Sequence, residues 1–117
     1  MLSAVVVDDD AAFRALVRMV LEAGGKVEVV GEADNGEQAV ALVAQLQPNV
    51  VLMDIEMPRR NGVDAAREIR RRFPQIRVVF ITGAGSPAHL AQEVSILGPV
   101  VRKEVGNLDV ALEALLF

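Results

Sequence analysis

The hydrophobic positions of this chain fall into two kinds of segment that alternate along its length. Residues 4–7, 50–53 and 78–81 are short unbroken apolar runs, the pattern of strands covered on both faces in a parallel sheet. Val100 and Val101 form a shorter run of the same kind. Residues 26–30 alternate polar and apolar, which suits an edge strand with one wetter face. Between these runs the spacing becomes helical. Phe13, Leu16, Val17, Val20 and Leu21 fall at i, i+3, i+4, i+7 and i+8, with Asp10 placed as an N-cap and Gly24-Gly25 as a stop. Further helices are predicted over about 37–46, between the Asn35-Gly36 turn and Pro48; over about 63–73, ended by Pro74; over about 87–96, the weakest; and over about 108–116.

This is a strand-helix unit repeated five times, with no linker or low-complexity tract, so residues 1–117 read as one domain. Right-handed crossovers turn such a string into an α/β doubly wound sandwich of three layers, and five strands favour the flavodoxin-like order 2-1-3-4-5. Composition agrees with a packed core: 52% of the 117 residues are hydrophobic and 24% are charged, which excludes a disordered chain. With four Phe and no Trp or Tyr, that core must be aliphatic. The net charge of −4 argues against nucleic-acid binding by the domain itself, which needs a basic surface. The absence of cysteine excludes disulfides, thiolate metal sites and a cysteine nucleophile. The apolar opening runs straight into three aspartates, too short for a signal sequence or a membrane span, and leaves a cytoplasmic location as the expectation.

Ligands of open α/β sheets bind beyond the carboxyl ends of the strands, and here those ends carry unusual residues. The first strand runs into Asp8-Asp9, the third into Asp54, the fourth into Thr82-Gly83 and the fifth into Lys103. Two carboxylates about 4 Å apart repel by roughly 4 kcal/mol at an effective dielectric near 20, so three together must hold a proton or bind a cation. Oxygen ligands with room for water suit Mg²⁺, and the twelve-residue loop of a calcium site is missing. A lysine and a threonine beside such an ion can neutralise and hydrogen-bond phosphoryl oxygens. A carboxylate can itself be the nucleophile. Phosphoryl transfer to Asp54 is the reaction this set of residues supports best.

Together these residues give the chain its resemblance to the receiver domains of two-component response regulators. The resemblance rests on Val7-Asp8-Asp9, Leu52-Met53-Asp54-Ile55-Glu56-Met57-Pro58, Asn61-Gly62, Phe80-Ile81-Thr82-Gly83 and Lys103 after Val100-Val101-Arg102. The stretch from Val30-Gly31-Glu32-Ala33 through Gly36-Glu37-Gln38-Ala39-Val40 is most similar to receivers of the NarL/FixJ type, which are joined to helix-turn-helix DNA-binding domains and act in transcription regulation. The resemblance implies that Asp54 is the phosphoacceptor. It implies that Asp9 holds Mg²⁺ directly, Asp8 holds it through water, and the backbone carbonyl of Glu56 adds a ligand. Thr82 would bond a phosphoryl oxygen and Lys103 would pair with its charge. The donor would be a sensor histidine kinase or a phosphotransfer protein. Self-phosphorylation and slow autodephosphorylation would be the only chemistry, so the chain is expected not to be an enzyme. A homodimer is one arrangement such a receiver could adopt.

The chain departs from the family pattern at three places. Val100 stands where the family often has an aromatic that turns inward on activation. Glu104 follows the lysine where proline is common. The stretch from Ser86 to Pro99 is short for a helix and turn, with Leu97-Gly98-Pro99 as the turn, so a short or irregular fourth helix is expected. The departures at Val100 and Glu104 keep open a receiver that works unphosphorylated, as a protein-interaction module. A phosphatase of the haloacid dehalogenase type would also use an aspartate nucleophile and Mg²⁺, but it places that aspartate after the first strand and has a larger chain. A flavodoxin-type FMN carrier needs a first loop that cradles phosphate, and three aspartates there would repel one. The remaining polar features have plainer readings. Arg70-Arg71-Arg72 complements the carboxyl end of its helix, His89 is a surface residue of the fourth helix, and Met53 and Met57 pack beside the site. Phe117 suggests an edge that packs on a partner or another domain.

Overall fold

The computed structural model describes residues 1–57, 59–83, 91–103 and 108–117; the expectations placed on Pro58, His89 and Glu104 lie outside the described residues. In chain order the elements are β1 (Leu2–Val7), α1 (Ala11–Ala23), β2 (Val27–Ala33), α2 (Gly36–Leu46), β3 (Val50–Asp54), α3 (Gly62–Arg72), β4 (Arg77–Thr82), α4 (Ala91–Leu97), β5 (Val100–Arg102) and α5 (Leu108–Leu116). The strands form one parallel sheet in the order β2-β1-β3-β4-β5, the order expected from the sequence. Each unbroken apolar run sends alternate side chains to opposite faces. Val5, Val7, Val51, Met53 and Phe80 pack with Val40, Val43, Val63, Ile69 and Val94 of α2, α3 and α4. Ala4, Val6, Leu52, Val79 and Ile81 pack with Val17 and Leu21 of α1 and Leu108, Leu112 and Leu116 of α5. Both faces of the sheet are therefore covered, which is why the central strands lack polar alternation.

Local chemistry sets the element ends. Asp10 caps α1, its Oδ1 accepting from the amides of Ala12 (2.9 Å) and Phe13 (3.4 Å), and Gly24 ends that helix with Gly25 at φ 72°. Asn35 and Asn61 cap α2 and α3 through the amides of Gln38 and Asp64. At the other end of α3, Arg70 donates to the carbonyls of Pro74 and Ile76 and Arg72 pairs with Glu68, in line with the dipole reading of this basic run. Of the weak fourth helix, Ala91–Leu97 is seen; its expected start over 87–90 lies outside the described residues. The turn after it requires Gly98, where a Cβ would collide with the Val78 carbonyl oxygen; the close approach lets the Phe80 amide donate to Pro99 and brings β5 alongside β4.

The edge strand differs from its sequence reading. Alternation ends at Val30, yet β2 continues to Ala33, because the register with β1 shifts between Ala4 (opposite Val29) and Val5 (opposite Gly31). Val30 is the extra residue of a β-bulge. The bulge reverses the facing of everything after it. Val27 and Val29 pack on the α1/α5 side and Ala33 on the α2/α3 side. Glu32 takes the α1 side, within reach of Arg14 and Arg18. Among the described residues no helix is long and apolar enough to cross a membrane.

Candidate functional site

Four segments converge beyond the carboxyl edge of the sheet. Asp8 leaves the end of β1 with its amide bonded to Ala33 O (3.0 Å), and its Oδ1 accepts from the Asp10 amide at 2.9 Å. Asp54 is the last residue of β3, and its Oδ1 accepts from the Glu56 amide at 3.4 Å. The loop after it folds back through Gly62, whose amide donates to Ile55 O. A Cβ on Gly62 would strike the Asp54 carbonyl oxygen, so glycine is what lets α3 start against the site. Lys103 follows β5, its amide bonded to Thr82 O at 2.9 Å.

Asp8 and Asp54 are only 2% and 3% exposed, whereas Asp9 is open to solvent. A carboxylate oxygen from each of the three lies within 4.8 Å of the others. The Lys103 ammonium sits among them, 2.7 Å from Asp8 Oδ2 and 3.4 Å from Asp54 Oδ2, and 4.7 Å from the centre of the Phe13 ring. Burial, reinforced by the Asp8 charge, pushes the Asp54 carboxyl up from 3.8 to about 7; Lys103 and the Glu56 amide pull it down without offsetting that rise. For Lys103, burial works against the charge, but contact with Asp8 and Asp54 outweighs it and raises its pKa above the usual lysine value.

The donor set fits a hard divalent cation. Every ligand candidate is an oxygen, three of them from carboxylates, and the Asp8 and Asp54 carboxylates are buried with more negative than positive charge around them. The buried Asp8 Oδ2 meets the Lys103 ammonium as an ion pair and has no other polar partner among the described residues. A buried carboxylate oxygen without a hydrogen bond, on a residue grouped with the solvent-facing Asp9, suits an oxygen-ligated ion that keeps waters.

The structure brings together four of the residues that the sequence singles out: Asp8, Asp9, Asp54 and Lys103. Thr82, 9% exposed, stands one residue beyond Ile81, the β4 partner of Asp54; its hydroxyl donates to Gly83 O at 3.0 Å. The Glu56 side chain is exposed, and the residue meets the site through its backbone. Met53 is fully buried and Met57 packs against the same cluster. Val100, the first residue of the edge strand β5, is 44% exposed. Two contributors escape the sequence reading. Phe13 reads there only as a core position, yet its ring covers the Lys103 ammonium. Arg14 does not stand out there, yet its Nη1 donates to the Asp8 carbonyl at 2.6 Å. The available signal is an arginine on the first turn after an acidic cluster, repeated as Arg18 and Glu22 at i+4 and i+8.

The chain belongs to the response regulator receiver domain family, whose model matches residues 4–100. It is 49% identical over 77 residues to a protein-glutamate methylesterase/protein-glutamine glutaminase of Alkalilimnicola ehrlichii, an alignment covering 66% of this chain and 20% of that protein. Its fold superimposes on the response regulator domain of Thermotoga maritima CheB with a TM-score of 0.87 at 28% identity, covering 98% of this chain and 93% of that one. It also superimposes on the receiver domain of the putative response regulator NarL from Mycobacterium tuberculosis with a TM-score of 0.83 at 29% identity, covering 97% and 94%. The likeness to NarL-type receivers therefore holds, and a likeness to receivers of methylesterases stands beside it. The chain spans about a fifth to a third of the length of the curated relatives it matches.

Proposed function

We propose that this receiver accepts a phosphoryl group on Asp54, with Mg²⁺ bound, from a phosphohistidine of a sensor histidine kinase or phosphotransfer protein. The observation that carries the reading is the Asp54 carboxylate itself, buried beside Asp8 and Asp9 with the Lys103 ammonium 3.4 Å away. Asp8, Asp9, Asp54 and the Glu56 carbonyl would hold the ion. Bound there, Mg²⁺ supplies the positive charge that keeps Asp54 ionised and neutralises phosphoryl oxygens. An Asp54 oxygen attacks phosphorus, the P–N bond of the donor breaks, and its electron pair returns to the imidazole ring, which takes up a proton. Lys103 exchanges its contact with Asp54 for one with the transferred group, and Thr82 turns its hydroxyl from Gly83 O to a phosphoryl oxygen. Water attack on phosphorus later releases inorganic phosphate and restores the carboxylate. No other reaction is assigned to the domain, and neither nucleic acid nor membrane is its own ligand.

The phosphorylated state would act on an output surface or an attached output domain in the cytoplasm, as a monomer or a homodimer. A second reading, a receiver that serves as an interaction module without phosphorylation, is favoured by one observation: Val100 is aliphatic and 44% exposed, so no aromatic ring stands there to turn inward. Incubation with acetyl phosphate and Mg²⁺, followed by intact-mass measurement, distinguishes the two. One added phosphoryl group, absent without Mg²⁺ and absent in Asp54→Asn, supports transfer. An unchanged mass together with no amide-spectrum response to beryllofluoride at millimolar Mg²⁺ leaves the interaction module.

A further inference from the structure

Of the three carboxylates at the site, two are held in place by their surroundings and one is not. Asp8 is buried and bonded at its amide, carbonyl and Oδ1. Asp54 is buried at the end of a central strand. Asp9 is exposed, and among the described residues nothing bonds its carboxylate. Its direction must come from the backbone, and the peptide plane that joins it to Asp8 is held at one atom, the Asp8 carbonyl oxygen, by Arg14 Nη1 at 2.6 Å.

Arg14 is itself anchored. Its Nε lies 3.1 Å from Glu32 Oε1, and the other oxygen of Glu32 takes Arg18 Nη1 at 3.0 Å. Arg18 also pairs with Glu22 (3.2 Å), whose second oxygen accepts from the Val29 amide at 3.3 Å, beside the bulge. Arg14, Arg18 and Glu22 thus form a stripe at i, i+4 and i+8 along α1 that grips the bulged edge strand. The bulge is what turns Glu32 toward this stripe; without the register shift, Glu32 would face α2. The Arg14 side chain is only 19% exposed, so both of its contacts form in a partly dry setting where charge-assisted bonds are strong.

We infer that Arg14, anchored by Glu32, is a positioning residue that aims Asp9 at the cation held by Asp8 and Asp54. The inference rests on the Mg²⁺ site proposed above. Groups that orient metal ligands without touching the metal typically change affinity by about 10- to 100-fold when removed. A guanidinium acting on a carbonyl, one bond removed from the ligand, belongs at the lower end, about 10-fold.

The test is calorimetric titration of Mg²⁺ into wild type, Arg14→Gln, Glu32→Gln, Asp9→Asn and the Arg14→Gln/Asp9→Asn double variant. Arg14→Gln should weaken Mg²⁺ binding about 10-fold, and Glu32→Gln, which leaves the arginine but frees it, should weaken it less. In the Asp9→Asn background the Arg14 substitution should have little further effect, because the ligand it aims is gone. A merely structural role gives equal losses in both backgrounds, and that additivity overturns the inference, as does unchanged affinity in Arg14→Gln. A second readout needs no metal. In EDTA, the Asp9 and Asp10 amides of Arg14→Gln should exchange hydrogen faster and shift in the amide spectrum while the amides of β3 and β4 stay as in wild type. Unchanged loop amides overturn the inference even if the metal site itself proves wrong; altered loop amides with no Mg²⁺ binding in wild type overturn the metal reading instead.

Discussion

Asp54 should destabilise the metal-free protein at neutral pH, and replacing it by asparagine should therefore stabilise the fold. The carboxyl is 3% exposed and its pKa is lifted from 3.8 to about 7 by burial and then by Asp8. Below pH 3.8 the group is protonated in both the folded and unfolded states and contributes nothing. Between 3.8 and about 7 the folded protein binds the proton more tightly than the unfolded chain, so stability falls as pH rises, by about 1.4 kcal/mol per pH unit. Above about pH 7 the loss is complete at about 4 kcal/mol, a large part of the roughly 5–15 kcal/mol typical of a domain. The amide in Asp54→Asn keeps the shape and does not ionise, so the gap in stability between the variant and wild type should widen by about 4 kcal/mol from about pH 4 to about pH 8. Urea unfolding in EDTA, followed by far-UV circular dichroism because the chain has no Trp or Tyr, measures it. Titrating groups that do not interact with Asp54 cancel in the difference between the two proteins, and Lys103, its pKa raised above the usual lysine value, stays charged throughout this range. Excess Mg²⁺ should close much of the gap at the alkaline end, since the ion takes the place of the proton. A gap that does not change with pH in EDTA would refute the reasoning.

Replacing Lys103 by Met removes a group that lowers the Asp54 pKa; carboxyl-carbon NMR titration should place Asp54 above its wild-type value, and an unmoved or lower value would contradict the assigned charge balance. Gly62→Ala forces a methyl into the Asp54 carbonyl and should cost about 3 kcal/mol in urea unfolding through overpacking against rigid backbone, whereas a loss within experimental error would show that the loop gives way. Asp10→Ala removes the cap at Ala12 and Phe13 and should cost about 1 kcal/mol while leaving the phosphorylated mass with acetyl phosphate unchanged; loss of phosphorylation would mean that Asp10 acts in the site.

Much of this protein is legible without a structure because its signals are local. Buried parallel strands need unbroken apolar runs and helices need a period of 3.6, so the element order and the sandwich class follow from the pattern. Asp8 and Asp54 stand where an apolar run stops, Asp9 and Lys103 one residue further on, and in a parallel sheet all such stops lie on one edge, so their meeting follows from topology. The identity of the partners does not. Which side chains touch across elements depends on strand register, a non-local quantity that one inserted residue reverses. The bulge at Val30 is such an insertion: it turns Glu32 from α2 to α1 and gives Arg14 its anchor, and nothing in the period of residues 26–30 announces it. Close backbone approach is similarly invisible, and only packing shows that Gly62 and Gly98 are needed for the room a side chain would take. The charge state of Asp54 also belongs to the tertiary structure. Three aspartates in a sequence carry no pKa; burial at the end of β3, with Asp8 and Lys103 brought alongside from two other strands, sets it near neutrality.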